Sequence, residues 1–337
     1  MNSAPAPLAV TMGEPAGIGG EIAAKAWRQR QALSLPAFFL IANVDHVQRA
    51  ADAVGGASVA RIEEPAAATT AFATALPVLP IDLAVEPRPG YPDPANAGAV
   101  LRSIDLGVDL VRAGGAGGLV TNPIQKSVLE AAGFRHAGHT EYLAELCGGN
   151  LTPVMMLACP ALRTVPITVH RPLAAAITEL TTTDIVERAA IAATALKSDF
   201  GIAAPRLAVA GLNPHAGEAG VLGREEIDII EPAIAALRDR GIDVSGPLSA
   251  DTMFHDKARK SYDAAICMYH DQALIPLKTL DFDHGVNITL GLPIVRTSPD
   301  HGTALTLAGS GQASEASLVA ALRTAAEIAA RRSGVHG

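Results

Sequence analysis

Cysteine is scarce in this sequence, and no dense run of lysine or arginine occurs anywhere. The three cysteines, Cys147, Cys159 and Cys267, are widely spaced and form no Cys-x-x-Cys pair, which argues against a disulfide framework or a zinc ribbon. The formal net charge of −8 at pH 7 argues against a nucleic-acid-binding surface. An anionic substrate would therefore have to be held by a few local cations.

Long hydrophobic runs are also missing. No segment offers about 18 uninterrupted apolar residues, and residues 1–7 lack the basic and apolar regions of a signal peptide. These absences predict a soluble, cytoplasmic protein that makes no contact with a membrane. The 337 residues, 49% of them hydrophobic, provide enough apolar material for two domains or one large α/β unit.

Short apolar runs alternate along the chain with amphipathic, alanine-rich stretches, which predicts a largely parallel α/β/α architecture. Asp184 and Glu187 have the spacing of a capping box that opens a helix, and Gly241 has the position of a helix C-cap. No linker with a shift in composition marks a domain boundary. The predicted strands lie at 8–11, 38–42 and 119–121, and the predicted helices at 19–30, 96–112, 184–197 and 225–240.

Three histidines, His170, His215 and His270, each follow a short apolar run and precede polar residues. In parallel α/β sheets, ligands bind at the ends of such strands. Three imidazoles with open positions left over form a catalytic type of metal site. Their spacing matches no compact zinc motif, so hydrogen-bonded structural histidines remain an alternative.

Two glycine-rich segments could approach an anion or a nucleotide with their backbone amides. The segment 12–21 follows the first predicted strand and opens a helix. It fails the G-x-G-x-x-G test because Ile22 stands three positions after Gly19, and the glycines at 114–118 fail it too. A Rossmann dinucleotide site is therefore not supported, and tight turns are the simpler interpretation.

His139 and Thr140 stand at the predicted start of a helical stretch. Thr140 could simply cap that helix. An imidazole, a hydroxyl and free backbone amides at a helix N-terminus would also suit a phosphate or a carboxylate.

Cations that could assist are Lys126, Lys278 and Arg296. Lys278 and Arg296 flank an apolar segment, 286–294, that contains Asn287. A lysine, an asparagine and an arginine in this arrangement could line a pocket for a compact polyanion, although each alone is more typical of a solvated surface.

Several strings together resemble the 4-hydroxythreonine-4-phosphate dehydrogenase family of vitamin B6 biosynthesis, in order and at family-like spacing over residues 8–330. The Asn-Pro-His-Ala-Gly-Glu and Asp-His-Gly-Thr-Ala strings are the most specific. The strings are Gly13–Gly19, Gly138–Glu141, Asn213–Glu218, Tyr269–Gln272, Val286–Pro293, Arg296–Ser298 and Asp300–Ala304.

The resemblance implies NAD- or NADP-dependent oxidation of 4-phosphooxy-L-threonine to 2-amino-3-oxo-4-phosphooxybutanoate, which decarboxylates to 3-amino-2-oxopropyl phosphate in pyridoxine 5'-phosphate biosynthesis. Gly20, Arg171 and the segment 121–126 depart from the commonest family pattern. The substrate alternatives are therefore D-threonate or D-erythronate 4-phosphate, or another 2,3-diol acid such as a cis-dihydrodiol of an aromatic acid.

The resemblance also implies a fold like that of the isocitrate and isopropylmalate dehydrogenases, with two α/β/α domains and a cleft. We place the first domain at 1–125 plus 276–337, and the second, with the metal histidines and the dimer interface, at 126–275. The implied assembly is a homodimer with shared active sites, in which His270 comes from the partner chain.

The resemblance assigns roles to individual residues. His170, His215 and His270 are the implied ligands of one divalent ion per subunit, Zn, Mg or Co. No residue is assigned to NAD. The implied substrate-binding residues are His139, Thr140, Lys278, Asn287 and Arg296.

In the implied mechanism, metal coordination lowers the pKa of the substrate alcohol while a base accepts its proton. Asp251 and Asp271 are the candidates for this base, or for orienting the ligands. Two other functions remain open from the sequence. They are a metal-dependent lyase or hydrolase without redox chemistry, and a binding protein for a small phosphorylated acid.

Overall fold

The computed structural model describes residues 5–136 and 138–334. The chain divides into two compact units, Met1–Leu151 with Leu292–Gly337, and Thr152–Gly291. These limits differ from those proposed from the sequence, 125 and 276, where no shift in composition marks a boundary.

The first unit contains a parallel sheet. Its strands lie side by side in the order β3-β4-β2-β1-β5-β12, and every neighbouring pair is parallel. All residues of β1 and β2 are buried, as expected for a parallel sheet covered on both faces. The strands are β1 Leu8–Thr11, β2 Phe38–Ala42, β3 Val59–Arg61, β4 Leu76–Pro80, β5 Leu119–Val120 and β12 Arg296–Pro299.

Helices follow the strands of this unit. Asn43 opens α2 by accepting a hydrogen bond from the backbone N–H of His46, 2.9 Å away, which satisfies one of the free donors of the first turn. The glycine turn after β1 leads into α1. The helices are α1 Gly19–Arg28, α2 Val44–Ala53, α3 Ala68–Phe72, α4 Ala97–Arg112, α5 Lys126–Ala131, α6 His139–Leu146 and α12 Ala316–Arg332.

The second unit has a mixed sheet in the order β11-β6-β7-β10-β8-β9. The pairs β11/β6 and β6/β7 are antiparallel, whereas β7/β10, β10/β8 and β8/β9 are parallel. Three successive parallel pairs thus bring the carboxyl ends of β7, β10 and β8 to one edge. The strands are β6 Val154–Cys159, β7 Leu162–Pro166, β8 Arg206–Ala210, β9 Asp243–Leu248, β10 Ala264–Cys267 and β11 Val286–Leu290.

The helix caps of the second unit refine the sequence-based expectation. Thr181, not Asp184, is the N-cap of α8, and its side chain accepts a hydrogen bond from the Asp184 N–H at 3.1 Å. The expected capping box at Asp184 is therefore wrong by three residues. The helices are α7 Leu173–Glu179, α8 Thr182–Ser198, α9 Glu231–Asp239, α10 Asp256–Arg259 and α11 His270–Leu280.

A π-helical turn, Glu226–Ile230, precedes α9. Arg240 is the C-cap of α9, and Gly241 follows it with φ of 75°, one residue beyond the predicted C-cap position. The predicted α/β class and largely parallel strands are confirmed. Within residues 5–136 and 138–334, no helix is both long and apolar enough to cross a bilayer.

Candidate functional site

The three candidate metal ligands follow three neighbouring strands of the second unit. β7 ends at Pro166, β8 at Ala210 and β10 at Cys267, and the next histidines along the chain are His170, His215 and His270. Because β7, β10 and β8 are adjacent and parallel, all three histidines follow the same edge of this sheet, where α/β proteins bind ligands.

Two of these imidazoles are close to each other. The ring centroids of His170 and His270 are 5.7 Å apart, with the rings tilted by 43°. His270 Nδ1 lies 2.7 Å from Asp271 Oδ1, a contact that fixes the ring and directs Nε2 away from the carboxylate. Across the described part of the chain, no group of three or more His, Cys, Asp or Glu side chains is placed to hold a metal.

The donor set nevertheless suits a first-row divalent ion. His170 and His270 are neighbouring imidazoles, and the Asp271 carboxylate is the usual partner of a metal-bound histidine. His170 and His215 also have left-handed backbones, with φ of 48° and 52°, which non-glycine residues adopt mainly at functional or strained positions. The residues present therefore fit a metal ion whose coordination is completed by further ligands.

Three hydrogen bonds, two of them buried, connect the three histidine-bearing loops. Thr168 Oγ1 donates to the Met268 carbonyl at 2.8 Å, and Met268 N donates to Gln272 Oε1 at 2.7 Å. Gln272 Nε2 in turn donates to the Gly211 carbonyl at 2.7 Å. The loops after β7, β10 and β8 are thereby held to one another through the buried Gln272 side chain.

The loop that carries His215 has an unusual backbone. Six successive residues, 215–220, have positive φ, and only Gly217 and Gly220 among them are glycine. Each non-glycine residue in this conformation costs roughly 1–2 kcal/mol. Such strain persists only where the surrounding contacts hold it.

In the first unit, Arg296 is a buried cation. The residue is 4% exposed, and its Nε and Nη2 donate to Thr121 Oγ1 at 3.2 and 2.7 Å. Burial lowers the pKa of Arg296 to about 10, so the guanidinium remains charged at neutral pH.

His139 lies at the start of α6, within reach of the electrostatic field of Arg296. Burial and the Arg296 charge lower the pKa of His139 to about 3, so the ring is neutral at physiological pH. Its Nε2 is buried and has no hydrogen-bond partner among the described residues. Thr140 is the next residue of the first turn. A buried cation whose charge acts on an unsatisfied imidazole nitrogen is suited to an anion.

The other predicted site residues have more ordinary surroundings. Lys278 and Asn287 belong to the second unit, and Lys278 Nζ lies 5.4 Å from the centroid of the Phe282 ring. Asp251 is exposed and accepts a hydrogen bond from Ser249 Oγ at 2.6 Å. Lys126 forms a surface pair with Glu130, 3.3 Å away.

The carboxyl edge of the first sheet carries further unsatisfied polar atoms. Asn122, which follows β5, is fully buried, and its Oδ1 has no partner among the described residues. His301 follows β12, and its buried Nε2 also has no hydrogen-bond partner among the described residues. The glycine turn after β1 packs against this region, where Ile18 N donates to the Thr303 carbonyl at 3.3 Å. A polar ligand at this edge could satisfy these atoms.

Comparison with known proteins identifies the family of the chain. The family model described as pyridoxal phosphate biosynthetic protein PdxA matches residues 34–325. The chain belongs to the PdxA family. It is therefore a dehydrogenase, which agrees with the resemblance seen in the sequence.

Individual PdxA relatives cover almost the whole chain. A 4-hydroxythreonine-4-phosphate dehydrogenase of Bradyrhizobium diazoefficiens is 54% identical over 98% of this chain and 99% of its own. One from Caulobacter vibrioides is 54% identical over 97% of this chain and 98% of its own. The crystal structure of the Klebsiella pneumoniae enzyme superposes with a TM-score of 0.87 at 37% identity, covering 98% of this chain and 99% of that chain.

Sequence reasoning did not assign a role to several residues that shape these PdxA loops. Thr121, Glu226 and Gln272 all contact groups far away along the chain. No local pattern distinguishes a glutamate or a glutamine that will be buried from one on the surface. The single available signal was that Gln272 lies within the family string Tyr269–Gln272, whereas Thr121 and Glu226 lie outside the strings.

Proposed function

We propose that this chain oxidises 4-phosphooxy-L-threonine with NAD, or NADP, in pyridoxine 5'-phosphate biosynthesis. The observation that carries the proposal is the buried Arg296 cation, whose charge acts on the unsatisfied His139 imidazole. Relatives over 50% identical along almost their full length have the same named activity.

Arg296 and His139 would bind the substrate phosphate. The guanidinium presents fixed N–H donors and stays charged, while the neutral imidazole can donate one further hydrogen bond. A dianionic phosphate beside them would raise the pKa of His139 from about 3 by supplying the opposite charge. Thr140, Lys278 and Asn287 remain predicted substrate-binding residues.

His170, His215 and His270 would hold one divalent ion, Zn, Mg or Co. When bound, such an ion supplies Lewis acidity at the substrate alcohol and at the ketone that it becomes. Asp271 fixes the His270 ring through Nδ1, so that its Nε2 is available as a ligand. The family resemblance implies that the third ligand is His270 of the partner subunit.

In the oxidation step the secondary alcohol loses a hydride from its carbon and a proton from its hydroxyl group. NAD accepts the hydride, and a base accepts the hydroxyl proton. The resulting β-keto acid loses carbon dioxide to give 3-amino-2-oxopropyl phosphate. Asp251 is a candidate base because its carboxylate is exposed and held by Ser249. Asp271 already contacts His270, and we assign it to orienting that ligand.

A homodimer is consistent with the surface of the second unit. Large apolar side chains are exposed on and around α7 and α11, and beyond the His215 loop. Where such side chains form one contiguous patch, that patch marks a protein interface. The exposed residues are Leu173, Ile177, Val221, Leu222, Ile275, Leu280 and Phe282.

The experiment that tests the proposal is NADH formation by the metal-reconstituted protein. Purified protein is assayed with 4-phosphooxy-L-threonine and, in parallel reactions, with D-threonate 4-phosphate and D-erythronate 4-phosphate. Turnover of the threonine phosphate, abolished by a chelator and by His215→Ala, is expected. Turnover of only the other two acids would contradict the proposed substrate, and no redox change with any of the three would contradict the dehydrogenase reaction.

A further inference from the structure

The His215 loop cannot be held by its own backbone preferences. His215, Ala216, Glu218 and Ala219 have φ between 46° and 53°, a region that residues with a side chain rarely occupy. Glu218 and Ala219 are exposed, so packing around them does not enforce the conformation. Contacts elsewhere must therefore select it.

Glu226 provides such contacts from the π-helical turn before α9. The residue is 2% exposed. Its Oε1 accepts the backbone N–H groups of Leu212 and Asn213, both at 2.7 Å. Its Oε2 accepts Asn213 Nδ2 at 2.9 Å. One buried carboxylate thus receives three hydrogen bonds from the residues that lead into His215, and hydrogen bonds to a charged group are among the stronger ones.

The same carboxylate fills the inside of the loop. A Cβ atom placed on Gly217 would lie 2.6 Å from Glu226 Oε2, and one placed on Gly211 would lie 3.2 Å from Oε1. The loop backbone therefore passes directly against the carboxylate before and after His215. π-Helical turns recur at functional sites, and here the turn carries the residue that the loop encloses.

We infer that Glu226 is a positioning residue that holds His215 in the geometry required for metal binding. The inference rests on the proposed metal-dependent function and adds to it a residue outside the ligand set. Gln at this position would keep one carbonyl oxygen but would present an NH2 group where an acceptor is needed. The loop would then lose at least one of its hydrogen bonds and leave its left-handed conformation.

The test measures metal affinity, independently of turnover. Metal-free full-length protein is titrated with Zn²⁺ against a competing chromogenic chelator. Glu226→Gln is expected to weaken Zn²⁺ binding by about 10- to 100-fold, the usual effect of removing a group that orients a metal ligand. Thermal unfolding of the metal-free variant shows whether it is folded. If it is not, Glu226→Asp, which keeps the charge, is used in the same way.

Glu225→Gln is the matched control. Glu225 is the adjacent acid and accepts a hydrogen bond from Asn213 Nδ2 at 2.7 Å, but it receives no bond from the loop backbone N–H groups that Glu226 holds. The substitution makes the same change in charge. Zn²⁺ affinity close to that of the wild type is expected.

A double-mutant comparison separates positioning from general stabilisation. If Glu226 acts through His215, Glu226→Gln has no further effect on Zn²⁺ affinity once His215 is alanine. An equal loss in the presence and absence of His215 would overturn the inference, as would wild-type affinity in a folded Glu226→Gln protein. Absence of Zn²⁺ binding by the wild-type protein would instead refute the proposed three-histidine metal site, and the inference with it.

Discussion

Arg296 and His139 show how burial changes the chemistry of single residues. Arg296 keeps its charge although its pKa falls to about 10, and His139 is neutral because its pKa falls to about 3. Both shifts arise mainly from desolvation. The pair therefore carries one positive charge and one neutral ring at physiological pH, which suits it to bind a phosphate.

Arg296→Lys should raise the KM for the phosphorylated substrate roughly tenfold or more, because an ammonium cannot replace the planar guanidinium and its bonds to Thr121. Steady-state kinetics across substrate concentrations would measure this. Arg102→Lys, at an exposed arginine of the same unit, is the control and should leave KM unchanged. An unaltered KM in Arg296→Lys would remove this residue from the substrate site.

His46 should make stability depend on pH. Burial, followed by the charge of Arg49, lowers the pKa of His46 from 6.5 to about 4. Between these values the unfolded chain binds a proton that the folded chain does not, so the free energy of unfolding falls as the pH drops from 6.5 to 4. The loss is at most about 3 kcal/mol.

Denaturant unfolding of His46→Gln at pH 4 to 7 tests this expectation. The pH dependence should be smaller than that of the wild type by the His46 contribution. Arg49→Gln should reduce it less, because Arg49 is the smaller cause of the shift. Parallel curves for wild type and His46→Gln would show that His46 does not contribute.

Gln272 is expected to be important for stability. Gln272→Leu would leave the Met268 N–H and the Gly211 carbonyl without their partners. Each unsatisfied buried group costs about 1–3 kcal/mol, so the free energy of unfolding should fall by roughly 2–4 kcal/mol. Gln31→Leu, at an exposed position, should change it by less than about 0.5 kcal/mol. Equal denaturation midpoints for the two variants would contradict this account.

At the scale of elements, the His215 loop and the helices have opposite backbone requirements. Ala219 has φ of 53°, where a Cβ is unfavourable, whereas Ala235 lies exposed within α9. Glycine at position 219 would remove the strain of a Cβ atom at positive φ. Glycine at position 235 would only increase the conformational entropy of the unfolded chain, since no backbone strain is present there.

Ala219→Gly should therefore raise the free energy of unfolding by up to about 1 kcal/mol, while Ala235→Gly should lower it by about 1 kcal/mol. Chemical denaturation of the two variants measures both changes. Destabilisation of the same size in both would show that the loop does not hold Ala219 in the left-handed region.

At the scale of the whole molecule, the origin of His270 in each metal site is the main question. The rings of His170 and His270 of one chain are 5.7 Å apart, while the family resemblance implies that His270 of the partner subunit completes each site. Mixing two inactive variants distinguishes these arrangements.

His170→Ala and His270→Ala protein, dissociated and reassociated in equal amounts, should recover about a quarter of wild-type activity, because half of the dimers are hybrids with one complete site. As the control, each variant is dissociated and reassociated alone, and it should stay inactive. An inactive mixture, with hybrid formation shown by two affinity tags, would mean that both histidines of a site come from the same chain.

Much of the local structure could be predicted from the sequence. β1 at Leu8–Thr11 and β2 at Phe38–Ala42 were predicted residue for residue, because a buried parallel strand is a short continuous apolar run. The helix cap at Thr181 was missed because Asp184 and Glu187 have the same three-residue spacing as Thr181 and Asp184. The position of each candidate histidine after a strand is likewise a local property, and it was predicted.

The sequence alone determined the α/β class, the absence of a Rossmann fingerprint and the family, since these depend on residues close together along the chain. Only the tertiary structure decided that β7, β10 and β8 are neighbours, that Arg296 contacts Thr121, and that Glu226 lies inside the His215 loop. These contacts join residues that are distant in sequence. Their stability comes from burial and hydrogen bonding in the folded chain, which no local pattern encodes.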